Sequence, residues 1–175
     1  MPASARDRPL CDRRRTGHAV GMVGDTDDVR EIRRVGTGGH RAVPHTADLR
    51  IEAWAPSREG CLAEAVRGLV ESFADVEAVR PTGLERLRLP LPRADDADLL
   101  VALLDEVVYR VEVHGQVPVE VDAEAAADGG LDVRLGVVPL SDVEVTGAAP
   151  KAVSWHGLHM GVDPYGWSCA VTVDV

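Results

Sequence analysis

The chain has 175 residues, 45% of them apolar, and this length suits one domain with a sizeable core. Its formal charge is -10 at pH 7, which argues against direct binding of RNA or DNA, because a general phosphate-binding surface needs clustered Lys and Arg. No apolar stretch is long enough to span a membrane and no secretory signal is visible, so we expect a cytoplasmic protein.

Residues 1–39 are predicted to form a disordered N-terminal leader. They hold eight Arg against six Asp and Glu and show neither helical nor strand periodicity. Their glycine-rich run, 36–39, does not follow a predicted strand or open a helix, which argues against a phosphate-binding loop. The predicted domain therefore covers residues 40–175.

The ordered part of the chain begins with an alternating strand and continues into two helices. Apolar residues alternate over residues 49–54, as in a half-buried strand. Ser57 is suited to cap a helix that runs to about Phe73. Asp95 or Asp96 is suited to cap the second helix, which carries the widest apolar face of the chain. Its aliphatic residues recur at Leu99, Leu100, Leu103, Leu104, Val107, Val108 and Val111.

The remaining elements are predicted to be strands. Residues 87–91 alternate around Pro90, which favours an edge strand because proline has no amide hydrogen to donate. Two pairs of alternating runs predict hairpins, namely 117–121 with 131–135 and 151–160 with 166–175. This order predicts an α+β fold, a single domain in which two helices pack on a largely antiparallel β-sheet.

Three carboxylates come together if the first strand lies beside the last. They belong to the side chains of Asp48 and Asp174 and to the C-terminus of Val175, which we expect to be free. Hard divalent cations prefer oxygen ligands, and three negative charges gathered without a cation are unfavourable. Their proximity would therefore indicate a metal site. The alternative is a solvated Asp48 at the start of a strand and a frayed chain end.

Lys151 is the single lysine of a chain with eighteen arginines. Since Arg supplies positive charge elsewhere, this position is a candidate for a role that needs a compact, flexible ammonium group. Chance retention of one lysine is the alternative. His45 lies just before the first strand and is either a catalytic group or a loop residue that hydrogen-bonds its neighbours.

Several other polar residues are candidates for site residues. His156 and His159 have the spacing of a metal pair, but residues three apart on a strand point to opposite faces. Ser154 and His156 share a face, so a serine nucleophile with a histidine base is an alternative. No G-x-S-x-G nucleophile elbow accompanies them, however. Asp105 and Glu106 on the second helix are either solvated or add charge near the site.

The three cysteines, Cys11, Cys61 and Cys169, are far apart in the sequence. Their odd number and spacing provide neither a disulfide framework nor a paired zinc motif, which predicts reduced thiols.

Four motifs occur in order along residues 40–175. They are His45-Thr46-Ala47-Asp48, the helix from Leu99-Leu100 through Asp105-Glu106-Val107-Val108-Tyr109, Lys151-Ala152-Val153-Ser154-Trp155-His156, and Val173-Asp174-Val175. Together they resemble the archease family, the small activators of RtcB-type RNA ligases. Pro44 and Arg50 depart from the family pattern, which usually has an acidic and a small residue at these positions.

The resemblance implies a metal, usually described as calcium and alternatively magnesium, held at Asp48, Asp174 and Val175. It also implies that Lys151 matters for activation and that His45 shapes the loop. The implied role is that of a non-catalytic partner of an RtcB-type RNA ligase, which promotes the ligase's GTP-dependent guanylylation and multiple turnover in tRNA splicing or RNA repair. The protein would contact RNA only indirectly, through the ligase. A metal-dependent phosphoester hydrolase and a chaperone-like protein-binding module are the alternatives.

Overall fold

The computed structural model describes residues 26–44, 48–90 and 95–175. Within them it has three α-helices and nine β-strands, and every strand pair is antiparallel. The helices are α1 (Thr26–Arg34), α2 (Arg58–Glu71) and α3 (Asp96–Tyr109). The strands are β1 (Gly39–Pro44), β2 (Asp48–Ala55), β3 (Ala74–Asp75), β4 (Gly83–Leu89), β5 (Gln116–Ala125), β6 (Leu131–Pro139), β7 (Glu144–Val145), β8 (Ala152–Asp163) and β9 (Gly166–Asp174). The predicted α+β class is confirmed.

The two longer helices begin at the caps that the sequence predicts. The Ser57 hydroxyl accepts a hydrogen bond from the amide of Gly60 at 3.1 Å, and the Asp95 carboxylate accepts bonds from two amides of the first turn of α3. These side chains satisfy backbone donors that have no partner inside the helix. Beyond α3 a short π-helical segment, Arg110–His114, leads directly into β5.

The strands form two main sheets, and α2 and α3 lie between them. Sheet A has the order β1-β2-β9-β8, sheet B has the order β4-β6-β5, and β3 pairs with β7. Helix α2 packs against β2 on one side and β5 on the other, while α3 packs against β8 and β4. The largest fully buried side chains of this central layer are Phe73, Ile51, Leu62, Leu69, Leu99, Leu100, Leu103, Leu104, Leu131 and Leu135.

The predicted edge strand and hairpins are present. Among the described strands, β4 pairs only with β6 and so lies at an edge of sheet B, with Pro90 just beyond its end. Strands β5 and β6 form one hairpin, in whose turn Asp128 accepts a hydrogen bond from the Gly130 amide at 2.9 Å. Strands β8 and β9 form the other. The second hairpin places β9 in the middle of sheet A, between β8 and β2.

The structure differs from the prediction of a disordered leader in its described part. Helix α1 lies inside residues 1–39, and its Arg33 forms an ion pair with Asp163, 130 residues further along the chain. The local pattern of apolar residues does not reveal a contact between residues so far apart in the sequence. Residues 1–25 lie outside the described part of the chain.

None of the helices in the described residues combines the length and the apolar character needed to cross a bilayer.

Candidate metal and partner site

Strands β2 and β9 bring Asp48 and Asp174 together. The strands are antiparallel neighbours, and Asp48 is the register partner of Asp174. Directly opposed residues of such a pair have Cβ atoms about 4.5–5.5 Å apart, so that both carboxylates are within reach of one cation. The condition on which the sequence-based metal site depends, that the strand beginning at Asp48 lies beside the last strand, is met.

Both carboxylates lie on the face of sheet A that points away from α2 and α3, which we call the outer face. Ile51 and Val171, three residues along β2 and β9, are completely buried in the core. Since side chains alternate between the two faces of a strand, Asp48 and Asp174 point to the opposite side. Asp48 is half-buried and Asp174 is exposed, so the pair is accessible from solvent.

Strand β8 brings Lys151 to the same end of the sheet. The amide of Lys151 donates a hydrogen bond to the carbonyl oxygen of Asp174 at 2.8 Å, and Ala152 is the register partner of Asp174 on this side. The Lys151 side chain is exposed. In the described part of the chain, no ion pair involves Lys151, Asp48 or Asp174.

Val175 follows Asp174 directly beyond the end of β9 and is half-buried. Within residues 26–44, 48–90 and 95–175, no three His, Cys, Asp or Glu side chains come together in a way that would hold a metal. If a cation binds between Asp48 and Asp174, backbone carbonyls and a terminal carboxylate at Val175 are further oxygen donors at this end of the sheet. Such an all-oxygen donor set fits a hard cation such as calcium or magnesium better than zinc, which prefers thiolate and imidazole ligands.

Helix α3 adds Asp105 near this end of the sheet. Burial raises the pKa of the Asp105 carboxyl, and a hydrogen bond from the backbone of Val153, two residues beyond Lys151, opposes the rise. Glu106 has a different environment, because it pairs with Arg110 at 3.0 Å. Of the two acidic residues that the sequence left open, Asp105 is the one beside β8. Successive helical residues point about 100° apart, and only the packing of α3 shows which of them meets the strand.

Arg50 lies two residues from Asp48 on the same face but is directed elsewhere. Its Nε donates to Glu52 at 3.0 Å, and Arg41 donates to the same carboxylate. Burial opposes ionisation of Glu52, yet the hydrogen bonds from Arg50 and Arg41 lower its pKa. Arg41 and Arg50 thus neutralise the charge of Glu52. They do not neutralise the negative charges of Asp48 and Asp174.

The remaining sequence candidates do not join this pair. The pairing of β8 with β9 is irregular between Ser154 and His159, so the simple alternation predicted there is lost. The Ser154 hydroxyl accepts a hydrogen bond from the His156 amide at 3.2 Å, a local turn contact that does not use the imidazole as a base. His159 is the register partner of Ala170, further along the outer face. His45 lies outside the described residues.

Comparison with known proteins identifies the family. Residues 40–175 match the archease protein family. The probable protein archease of Mycobacterium tuberculosis is 48% identical over 139 residues, which cover 79% of this chain and 76% of that protein. The chain belongs to the archease family. The protein archease of Methanopyrus kandleri is 28% identical over 138 residues, covering 76% of this chain and 96% of its own.

Two solved structures share the archease fold. The solution structure of protein 1598 from Methanobacterium thermoautotrophicum superposes with a TM-score of 0.61 at 19% identity, covering 78% of this chain and 99% of that one. The crystal structure of a Thermotoga maritima archease, described as a possible chaperone, has a TM-score of 0.55 at 22% identity and covers 76% and 94%. At these identities the likeness concerns the fold.

Proposed function

We propose that this archease binds a divalent cation, calcium or alternatively magnesium, and activates an RtcB-type RNA ligase in the cytoplasm. It would promote the ligase's GTP-dependent guanylylation and multiple turnover in tRNA splicing or RNA repair, without catalysing the ligation. The observation that carries the proposal is the register pairing of Asp48 with Asp174, whose carbonyl oxygen accepts a hydrogen bond from Lys151.

The proposed metal ligands are Asp48, Asp174 and the terminal carboxylate of Val175. Like charges directly opposed across a strand pair are destabilising, and no Arg or Lys of the described residues forms an ion pair with either aspartate. A bound cation would supply the missing positive charge. The outer-face arginine nearest in sequence, Arg50, is already engaged with Glu52.

The exposure of this site supports a role in a partner's cleft. Asp174 and Lys151 are both exposed at the end of sheet A, whereas small-molecule sites are usually concave and bury most of the ligand. An exposed acidic tip can enter the cleft of another protein. There the ammonium group of Lys151 would donate hydrogen bonds to a phosphate oxygen as a compact point charge.

The proposal is tested by GTP-dependent guanylylation of the cognate ligase. We expect Asp48→Ala, Asp174→Ala, Lys151→Ala and a chain extended by several residues beyond Val175 each to lose most of the stimulation. Glu144→Ala is the matched control, because Glu144 and Asp75 also face each other across a strand pair, β3 with β7, and this variant should stimulate like the wild type. Undiminished stimulation by all four site variants would contradict the proposal.

Two other functions predict different results. A metal-dependent hydrolase would turn over phosphoesters without the ligase and lose that turnover in Asp48→Ala. A chaperone-like module, the role suggested in the description of the Thermotoga maritima relative, would stabilise its partner after chelation of divalent cations and in Lys151→Ala. The same purified variants therefore separate the three functions.

A further inference from the structure

Strand β8 carries three extra residues where it runs along the edge of sheet A. It pairs regularly with β9 up to Ser154 and again from His159. Between these positions, residues 155–158 of β8 stand opposite the single residue Val171 of β9. The three extra residues, which we call the bulge, are Trp155, His156 and Gly157. Bulges are frequent next to functional sites, where they redirect a side chain.

The bulge turns a tryptophan out of the core and puts a leucine in its place. In a regular strand Trp155 would share a face with Val153, whose side chain packs against the core. Instead Trp155 is 61% exposed, and Leu158, next to His159 on the outer face, packs against the core. The largest side chain of β8 therefore lies in solvent although the core position beside Val153 is filled.

Local contacts fix the conformation of the bulge. The Ser154 hydroxyl accepts a hydrogen bond from the His156 amide at 3.2 Å. Gly157 has φ +69°, a left-handed conformation that favours glycine. The Nη1 atom of Arg50 lies 3.3 Å from the position that a Cβ atom of Gly157 would occupy, so the bulge meets the outer face of sheet A. Because its backbone is already ordered, docking through the bulge costs little backbone entropy.

The bulge lies close to the proposed metal and partner site. Ser154, directly before Trp155, pairs with Thr172, which lies two residues from Asp174 along β9. Two residues of a strand span about 7 Å. Since a protein interface of standard size covers about 800 Å² of each partner, a protein that engages Lys151 and Asp174 also covers Trp155. The tryptophan therefore belongs to the same surface as the proposed site.

We propose that Trp155 is the anchor with which this archease docks on the RtcB-type RNA ligase. This inference rests on the proposed function and adds the contact that holds the two proteins together. A single exposed apolar side chain is common on protein surfaces, but here a bulge redirects it beside the site. Tryptophan is enriched among the residues that dominate binding energy, where it fills a pocket of the partner. The matching pocket of the ligase is apolar, with an oxygen at its rim that accepts the indole N–H bond.

Guanylylation of the cognate ligase at increasing archease concentration separates docking from activation. The concentration for half-maximal stimulation reports docking, and the plateau reports activation. We expect Trp155→Ala to raise the half-maximal concentration by at least about tenfold and to reach the wild-type plateau at saturation. Trp155→Phe keeps an aromatic ring and should recover most of the affinity. Val162→Ala is the matched control, because Val162 is 69% exposed near the opposite end of the same strand, and it should behave like the wild type.

A chain that lacks residues 155–157 removes the whole bulge. Ser154 is then followed directly by Leu158 and His159, so that regular alternation continues and Leu158 keeps its place against the core. We expect this variant to have a Tm close to that of the wild type and to bind the ligase as weakly as Trp155→Ala. Calorimetric titration of the ligase with each variant measures the affinity directly.

The outcomes distinguish a failure of this inference from a failure of the proposed function. If the wild type neither binds nor stimulates the ligase, the proposed function is wrong and the docking role of Trp155 fails with it. If the wild type stimulates the ligase and Trp155→Ala has the same half-maximal concentration and the same affinity, only the docking role is wrong. A lower plateau of Trp155→Ala at unchanged affinity would also overturn it, because Trp155 would then act in activation.

Discussion

The Nδ1 atom of His40 lies 2.8 Å from a carboxylate oxygen of Glu64, and this contact joins β1 to α2. The other ring nitrogen, Nε2, lies 3.1 Å from a carboxylate oxygen of Glu71, two turns further along the helix. Burial alone would lower the pKa of the imidazole, but the hydrogen bonds to Glu64 and Glu71 outweigh burial and raise the pKa to about 9. His40 is therefore protonated in the folded protein at neutral pH.

This bridge predicts that stability falls as the pH rises from about 6.5 to about 9. An unfolded histidine has a pKa of about 6.5, so below that pH both states hold the proton and the stabilisation is fully present. Between about 6.5 and 9 only the folded state keeps it, and about 3 kcal/mol of unfolding free energy is lost. Urea unfolding at pH 6 and pH 9.5 measures the loss.

His40→Gln should remove most of this decline, because glutamine carries no titrating proton. His156→Gln is the control, since His156 is exposed on β8 and should keep the wild-type pH dependence. An equal decline in the wild type and in His40→Gln would show that the bridge does not cause it.

In the turn between β8 and β9, we expect Gly166→Ala to lower the free energy of unfolding substantially. Gly166 has φ +115°, and a Cβ atom there would lie 2.7 Å from the carbonyl oxygen of Ala55. Gly115 has φ +59° with no atom within 4 Å of its Cβ position, so Gly115→Ala carries only the cost of the left-handed backbone, about 1–2 kcal/mol. Gly166→Ala should cost at least about 1 kcal/mol more, because overpacking adds about 1–3 kcal/mol. Thermal unfolding of both variants provides the comparison, and equal costs would contradict the close approach.

Local sequence patterns predicted the elements well because each pattern has a local cause. Ser57 and Asp95 cap helices through amides of the adjoining turn, and the Asp-Gly-Gly segment forms its turn through a bond two residues apart. Strand periodicity does not reveal which strands are neighbours. The pairing of Asp48 with Asp174 therefore entered the sequence analysis only as a condition of the metal site, and the resemblance to the archease family implied a metal shared by these residues.

Local sequence patterns did not predict the contacts between segments that are distant in the sequence. Arg33 meets Asp163 across 130 residues, and this contact fastens a helix that the sequence predicted to be disordered. His40 acquires its charge from Glu64 and Glu71, which depends on how β1 crosses α2. The division into two sheets likewise depends on partners, because alternation is the same in a strand of either sheet.

Two cysteines that are far apart in sequence are neighbours in the core, and we predict that they resist alkylation. The neighbouring Cys169 thiol and burial raise the pKa of the Cys61 thiol, which donates a hydrogen bond to the carbonyl oxygen of Ala53, and both cysteines are buried. Since the thiolate is the reactive species, iodoacetamide at pH 8 should leave Cys61 and Cys169 unmodified in the folded protein and modify both in urea. Peptide mapping by mass spectrometry measures each site separately. Rapid modification of Cys61 without denaturant would contradict this assignment.

Neutralising one acid of the proposed metal site should have opposite effects on the relative Tm in the absence and in the presence of a cation. Without a cation, the facing charges of Asp48 and Asp174 repel each other, so Asp174→Asn should match or exceed the wild-type Tm in the presence of a chelator. At a calcium concentration about 100 times Kd, the wild type should gain about 2.7 kcal/mol, or about 5–10 °C in Tm for a domain of this size. Asp174→Asn should lose most of this gain, whereas Glu144→Gln, in the acidic pair with Asp75, should keep it. Calorimetric scans with chelator and with calcium measure both quantities, and a full calcium gain in Asp174→Asn would exclude this residue as a ligand.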